Sequence, residues 1–283
     1  MNRKTIIRRM LRSKFFMVGA ILVVFIIALA LLTPFIIQHD PVKNNLRSRL
    51  QPPEYFTNGL KGHVFGTDDA GRDIFSRLLT GSRYSLFIAV SVVSVGALIG
   101  TILGAISGYI GGVVDMVIMR ICDIMMAIPN LVLAIAVMAV LGANIFNLII
   151  VLIITGWVQY CKVTRNNVLV VKGQEFVKAS QALGASNWHI MFKQIFPNVT
   201  TQLIILTSQQ FGWTILTEAS LSFLSLGVQP PTPSWGNMIA DSRNYMLTNP
   251  WMLFVPGIAL MITVLAFNFL GDGLRDVLDP KRN

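Results

Sequence analysis

The stretch "FFMVGAILVVFIIALALLTPFIIQ" (15–38) contains no charged residue and follows a basic segment, 1–14. As an α-helix it would be about 35 Å long, which is enough to cross a bilayer core of about 30 Å. We therefore predict a first transmembrane helix over 15–38. Basic segments stay on the inner side of a membrane, so we expect 1–14 to be cytoplasmic. The apolar run is too long for the core of a cleaved signal peptide.

The composition of the whole chain agrees with this beginning. Of its 283 residues, 54% are hydrophobic and only 13% are charged, whereas a soluble domain carries about 25% charged residues. This excludes a disordered chain, a fibrous protein and an ordinary soluble enzyme. The formal net charge of +10 is expected to mark the cytoplasmic ends of membrane helices, and we expect no nucleic-acid partner. Cys122 and Cys161 lie in apolar runs and are expected to be small buried hydrophobes.

Uncharged runs further along the chain predict an all-α polytopic membrane protein. The run 124–161 is nearly twice as long as a bilayer core requires, so it must turn, and the only polar, glycine-containing place is 141–147. Pro129 is expected to kink the helix before that turn. Six transmembrane helices are predicted, at 15–38, 84–114, 120–141, 145–161, 199–224 and 251–271.

Loop charges predict the topology. The loop 162–198 is rich in lysine and is expected to be cytoplasmic, as is the tail 272–283. The loop 39–83 is expected outside, and within it 67–81 has the pattern of a short amphipathic helix lying at the membrane interface. The remaining five helices then form a core domain, 84–271. Both termini are cytoplasmic in this arrangement.

Four glycines recur every four residues in the second predicted helix: Gly96, Gly100, Gly104 and Gly108. Such a ridge of small residues allows close contact between membrane helices. The sequence leaves open whether the contacting helix belongs to this chain or to a partner.

The sequence lacks the common catalytic, phosphate-binding and metal-binding motifs. It contains no P-loop, no H-E-x-x-H, no C-x-x-C and no G-x-S-x-G motif. Secondary transporters usually carry ionisable residues near the membrane midplane, and here only Glu218 lies clearly within a predicted span. We therefore expect no catalytic residue, metal site or cofactor in this chain, and an external source of energy. A stand-alone secondary transporter is the rival hypothesis.

The cytoplasmic stretch 172–198 predicts two short helices. Phe176, Ala179, Ser180 and Leu183 fall on one face of the first helix, Gly184 provides its stop and Ser186 caps the next helix, which ends before Pro197. The exposed small and apolar residues suit two alternatives equally: the helix docks in a groove of a partner protein, or it lies on the lipid surface.

The same stretch resembles the EAA loop of the permeases of binding-protein-dependent ABC transporters. Ala179 holds the central alanine of that motif, and Gly184 is followed by Pro197 thirteen residues later. Lys178 stands where the family has glutamate, and Ser180 where it has alanine. Three further blocks are similar to the second permease of dipeptide, oligopeptide and nickel importers: "FGTDDAGRDIFSRLLTGSRYSL" (65–86), "LTEASLSFLSLGVQPPTPSWGNMI" (216–239) and "FVPGIALMITVLAFNFLGDGLRDVLDP" (254–280).

The resemblance implies a type I ABC importer permease fold and a non-catalytic subunit that forms half of a translocation pathway for di- and oligopeptides. Nickel, or another small solute, is the alternative substrate. Implied partners are a homologous permease, two ATP-binding cassette subunits that bind ATP and Mg²⁺, and an extracytoplasmic substrate-binding protein. The implied location is a bacterial inner membrane. Coupling to the ATPases is expected at Glu175, Phe176, Lys178, Ala179, Ser180, Leu183, Gly184, Ala185 and Pro197.

The fifth predicted helix carries a polar stripe. Thr207, Gln210, Thr214, Thr217 and Glu218 fall within one sector of about 100°. Polar side chains are costly in lipid, so the stripe predicts the lining of a translocation pathway. Hydrogen bonds to neighbouring helices are the alternative. For Glu218, attraction of a substrate ammonium group and pairing with a partner's arginine both stay open.

A proline-rich loop, 227–236, is predicted to lie outside, together with the loop 39–83. Pro231 and Trp235 are expected to contact the substrate-binding protein. The alternative is a rigid turn that packs on the other outer loop, and Trp235 can serve either role.

Overall fold

The computed structural model describes residues 3–56 and 59–278 and contains no β-strand within those ranges. The predicted all-α fold is confirmed for this part of the chain. Of the predicted N-terminal segment and tail, residues 1–2 and 279–283 lie outside the described residues. The helices, in chain order, are α1 (Arg3–Arg12), α2 (Lys14–Ile36), α3 (Ile74–Ile110), α4 (Gly112–Met126), α5 (Asn130–Leu141), α6 (Ile145–Lys172), α7 (Glu175–Ala182), α8 (Asn187–His189), α9 (Phe196–Phe223), α10 (Trp235–Ser242) and α11 (Trp251–Leu278).

Four of the described helices are long and apolar enough to cross a membrane: α2, α3, α6 and α11. The pair α4 and α5 counts as a fifth if it is one broken span, since the two helices are bent by 85°. Helix α9 has 28 residues but does not qualify, because threonine, glutamine and serine lower its hydropathy. By length and composition alone, the described residues therefore give four or five membrane spans rather than the predicted six.

Helix α3 differs from the prediction for 67–81. No separate interfacial helix exists, because residues 74–81 are the first turns of the 37-residue helix α3. Asp73 caps this helix, and its Oδ2 accepts a hydrogen bond of 2.7 Å from the Ser76 N–H. Asp68, near the start of the predicted helix 67–81, caps no helix and accepts a hydrogen bond from the Arg72 side chain. The helix ends at Ile110, within the uncharged run 84–114, because Gly111 and Gly112 adopt positive φ angles.

The third predicted helix, 120–141, is broken rather than kinked. Helix α4 ends at Met126 and α5 begins after Pro129, which lacks an N–H and restricts the residue before it. The predicted turn at 141–147 is confirmed: Gly142 adopts a φ of 84°, and the Asn144 side chain caps α6.

Helix α6 continues past residue 161, the predicted boundary, to Lys172. Its cations are paired within the chain, which allows the helix to extend. Arg165 forms an ion pair of 2.6 Å with Asp115 of α4. Lys162 forms one of 2.9 Å with Asp123 of the same helix. The first part of the predicted loop 162–198 is therefore helical.

The glycine ridge of α3 packs against α6 of the same chain. A Cβ atom on Gly100 would come within 2.6 Å of Tyr160 Cβ, and one on Gly104 within 2.8 Å of Thr164 Cβ. Both glycines also lie directly against backbone carbonyls of α6. The sequence left the partner of this ridge open, and the structure identifies it as α6.

The first long helix is attached to the last one. Gly19 of α2 lies against the backbone of Leu270, and Gly273 of α11 lies against Phe16. Beyond the Gly19 contact, Val23 and Ile26 of α2 join a buried cluster with Ala266 of α11. Helix α2 is therefore packed onto the core rather than separate from it.

We predict that Gly100→Ala destabilises the chain and that the same change at Gly156 does not. An added methyl group at position 100 would overlap α6 and separate two helices, at a cost of about 1–3 kcal/mol. Gly156 is also helical but has no atom near the position of an added Cβ, so alanine there removes only a flexible residue. Thermal unfolding in detergent measures both. Equal midpoints for the two variants would show that the ridge does not hold α3 against α6.

Candidate functional site

The two short helices and the turn predicted in 172–198 are present. We call residues 173–197 the inner elbow, after the side of the membrane on which the sequence predicts them to lie. Helix α7 ends at a turn in which Gly184 adopts a φ of 81°, and the Ser186 hydroxyl caps α8. The sequence predicted that the second helix ends before Pro197, but it does not. It continues through a π-helical segment, Ile190–Ile195, into α9. Pro197 lies in the first turn of α9, just after this wider turn, where its missing N–H is tolerated.

Val177 anchors the elbow to the membrane helices. Its side chain is 0% exposed, although it lies in a short helix whose other residues are mostly exposed. Burial of such a side chain stabilises by about 1.5–3 kcal/mol. It packs into a buried apolar cluster formed by Val168, Ile190, Ile195 and Val199. The sequence pattern pointed to a different face of α7, about 110° away, and missed this residue.

Hydrogen bonds also hold the elbow and the end of α6 before it in place. The Tyr109 hydroxyl at the end of α3 donates to Asn187 Oδ1 at 2.8 Å. Lys172 at the end of α6 donates to the Tyr109 carbonyl at 2.6 Å. Gln194 Nε2 donates to the Ser180 hydroxyl at 2.6 Å. Ser180, which stands where the EAA motif has alanine, therefore links α7 to the π-helical segment that contains Gln194.

The other face of the elbow is open. The Leu183 side chain is 89% exposed at the tip of the turn, and Phe176 is half exposed. Ser180 and Ala185 are partly buried. The remaining predicted coupling residues are all exposed: Glu175, Lys178, Ala179, Gly184 and Pro197. A protruding apolar tip surrounded by polar residues is typical of a surface that binds another protein.

A polar cavity of about 680 Å³ lies between α6, α9 and α11. It follows α9 for about 18 Å from Pro197 to Gln209. Its lining comprises Val163, Pro197, Asn198, Thr201, Gln202, Ile205, Leu206, Gln209, Arg275 and Leu278. None of these residues belongs to the polar stripe that the sequence predicted as pathway lining.

The predicted stripe faces the interior of the chain. Thr207 and Thr217 are partly buried and donate to carbonyls of their own helix, Leu203 O and Trp213 O. Gln210 is partly buried and Thr214 is buried. The stripe residue Thr207 lies about 200° around the helix from the cavity residue Gln209, which places the two on opposite sides. These two threonines bond within α9, whereas the stripe residue Glu218 bonds to Ser85 of the neighbouring helix α3. The role of the stripe as pathway lining stays a prediction.

Glu218 differs from both of its predicted roles. It is 0% exposed, so within this chain it is open neither to a substrate ammonium group nor to a partner's arginine. Ser85 of α3 donates to Glu218 Oε2 at 3.0 Å, and Ser222 donates to Oε1 at 2.8 Å. The carboxyl group joins α9 to α3.

At the opposite end of the bundle, buried charges join the outer loop to α3 and α10. Asp68 accepts from Arg72 at 2.7 Å and lies 3.3 Å from the Arg77 guanidinium. Both arginines approach Asp241 of α10 to 3.6 Å. Burial raises the pKa of the Asp241 carboxyl, and the nearby Arg77 charge opposes that rise. His63 adds a 2.9 Å contact with Asp73. We call this group the outer charge cluster.

The two residues predicted to contact a binding protein are placed differently. Pro231 is exposed. Trp235 is 3% exposed, and its Nε1 donates to the Leu78 carbonyl at 3.1 Å. The indole therefore packs against α3 and is not available at the outer surface.

Comparison with known proteins agrees with this geometry. Residues 100–283 match the family described as binding-protein-dependent transport system inner membrane component, and residues 3–53 match the N-terminal TM domain of oligopeptide transport permease C. Oligopeptide transport system permease protein OppC of Bacillus subtilis (strain 168) is 43% identical over 269 residues, which cover 95% of this chain and 86% of the relative.

Two further relatives are similar. Probable D,D-dipeptide transport system permease protein DdpC of Escherichia coli (strain K12) is 39% identical over 263 residues, or 93% of this chain and 86% of the relative. Glutathione transport system permease protein GsiD of Escherichia coli O6:K15:H31 is 42% identical over 275 residues, which cover 97% of this chain and 89% of the relative. The chain belongs to the family of binding-protein-dependent transport system inner membrane components. The resemblance found in the sequence is confirmed.

We predict that Arg77→Gln destabilises the chain by about 1–3 kcal/mol, because it removes one of the two arginines that neutralise the carboxylates of Asp68 and Asp241. Arg47→Gln is the matched control. Arg47 lies in the same outer loop but is exposed, so its loss should change stability by less than about 0.5 kcal/mol. Thermal unfolding in detergent measures both changes. An unchanged midpoint for Arg77→Gln would show that the outer charge cluster does not hold the loop.

Proposed function

We propose that this chain is one of two homologous membrane subunits of an ABC importer for di- and oligopeptides in a bacterial inner membrane. The inner elbow carries the proposal, since it is anchored at Val177 and exposed at Leu183. The names of the relatives refer to oligopeptide, D,D-dipeptide and glutathione transport. These names favour peptides over nickel as the substrate.

The proposed topology has six spans with both termini in the cytoplasm. The spans are α2, α3, the bent pair α4 and α5, α6, α9 and α11. Helix α9 is included despite its low hydropathy, because its polar groups face the interior of the chain or the cavity. In this topology the outer loop is 39–83, the core is 84–271, and the segment 162–198 and the tail from 272 lie inside.

Two ATP-binding cassette subunits supply the energy in this proposal. They bind ATP and Mg²⁺, and one of them receives the Leu183 tip of the elbow in an apolar groove. Closure of the ATPases then moves the elbow. Val177 packs against residues of α6 and α9, and Tyr109 bonds the elbow to α3. Displacement of the elbow therefore shifts three spans together.

The translocation pathway in this proposal follows the polar cavity along α9, and the homologous subunit supplies the opposite wall. At the outer end, the loop around Pro231 contacts the substrate-binding protein. Trp235 supports that loop from inside, since it packs on Leu78.

Replacement of Leu183 by aspartate tests the docking role of the elbow. A charge at the tip would have to enter an apolar groove, so we predict that Leu183→Asp lowers ATP-driven peptide uptake at least about tenfold. The assay uses the assembled importer in proteoliposomes. Leu247→Asp is the matched control, because Leu247 is 94% exposed and lies between α10 and α11, on the side of the membrane opposite to the elbow in the proposed topology.

Equal uptake by the two variants would contradict docking at this tip. Peptide uptake by the purified chain alone, without ATPase subunits, would instead support the rival hypothesis of a stand-alone transporter.

A further inference from the structure

The polar cavity contains three side chains with unused hydrogen-bonding groups. Within the described residues, Gln202, Gln209 and Arg275 make no side-chain hydrogen bond or ion pair. Asn198, by contrast, donates to the Gln194 carbonyl at 2.6 Å. Arg275 and Gln202 are exposed to the open cavity, and Gln209 is partly buried. A cavity of this size with a few convergent polar groups is a candidate ligand site.

The backbone leaves room for these side chains. Gly271 of α11 lies against Gln209, and a Cβ at that position would come within 3.0 Å of Gln209 Cγ. Arg275 follows Gly271 by four residues and so lies one helical turn further along the same side of α11. Glutamine and arginine therefore line the cavity at successive levels.

The charge of the lining selects the ligand. Arg275 is the one charged residue among those that line the cavity, and none of them is acidic. A guanidinium group binds a carboxylate through two parallel hydrogen bonds. A glutamine amide offers both donors and acceptors, which match a peptide backbone. A volume of about 680 Å³ suits a short peptide.

We propose that this cavity binds the C-terminal carboxylate of the transported peptide at Arg275, with Gln202 and Gln209 bonded to the peptide backbone. The inference rests on the proposed function and adds a substrate site on the cytoplasmic half of the pathway. It requires a free carboxylate and makes no demand on the side chains of the peptide.

Direct binding tests the site without the substrate-binding protein. The assembled importer, free of nucleotide, is titrated with radiolabelled tri-alanine and with its C-terminal amide. The wild type is expected to bind the free acid at least about tenfold more tightly than the amide. Arg275→Gln should remove that preference, and Arg275→Lys should retain part of it. Arg243→Gln, which changes an exposed arginine beyond α10, should keep the full preference.

Equal affinity of the wild type for acid and amide would overturn the inference, as would an unchanged preference in Arg275→Gln. A second arm compares nanodiscs of neutral lipid with nanodiscs that contain phosphatidylglycerol. If the anionic lipid abolishes the preference, lipid phosphate occupies Arg275 and the inference is wrong. An importer that takes up tri-alanine but shows no acid preference overturns this site alone. An importer that takes up no peptide overturns the proposed function with it.

Discussion

The burial of Val177 is the contact on which the proposed mechanism depends. A helix of eight residues at the membrane surface has little stability of its own. It is held because this one side chain enters the apolar cluster formed with Val168 and Val199. The same contact fixes the direction in which Leu183 points. An elbow that is anchored on one face and exposed on the other can bind an ATPase subunit and transmit its movement to the spans.

Close helix packing allows a displacement of the elbow to reach the rest of the bundle. Glycines at 100 and 104 bring the backbone of α3 against α6, and well-packed helices move as units rather than deform. Asp115 and Glu218 bond within the chain and hold neighbouring helices together. Gln202 and Arg275, by contrast, make no such bond among the described residues and are open to the cavity, where the proposed substrate site uses them.

Several features could be predicted from the sequence because they depend on local chemistry. Apolar runs predicted the long helices, and Gly184 and Ser186 predicted the turn of the elbow. The face of α9 that lines the cavity could not be predicted in this way. Threonines and Glu218 form a stripe as regular as that of the cavity residues, and only the packing of neighbouring helices decides which stripe is internal. Trp235 was ambiguous for the same reason.

The most direct measurement of the central claim is the number of peptides transported per ATP hydrolysed by Val177→Ala in the reconstituted importer. The change leaves the exposed tip intact but removes packing between the elbow and the spans. The account predicts that the ATPases still bind and hydrolyse ATP, while transport per ATP falls severalfold. A ratio equal to that of the wild type, in a stable variant, would contradict the claim that Val177 links the elbow to the pathway.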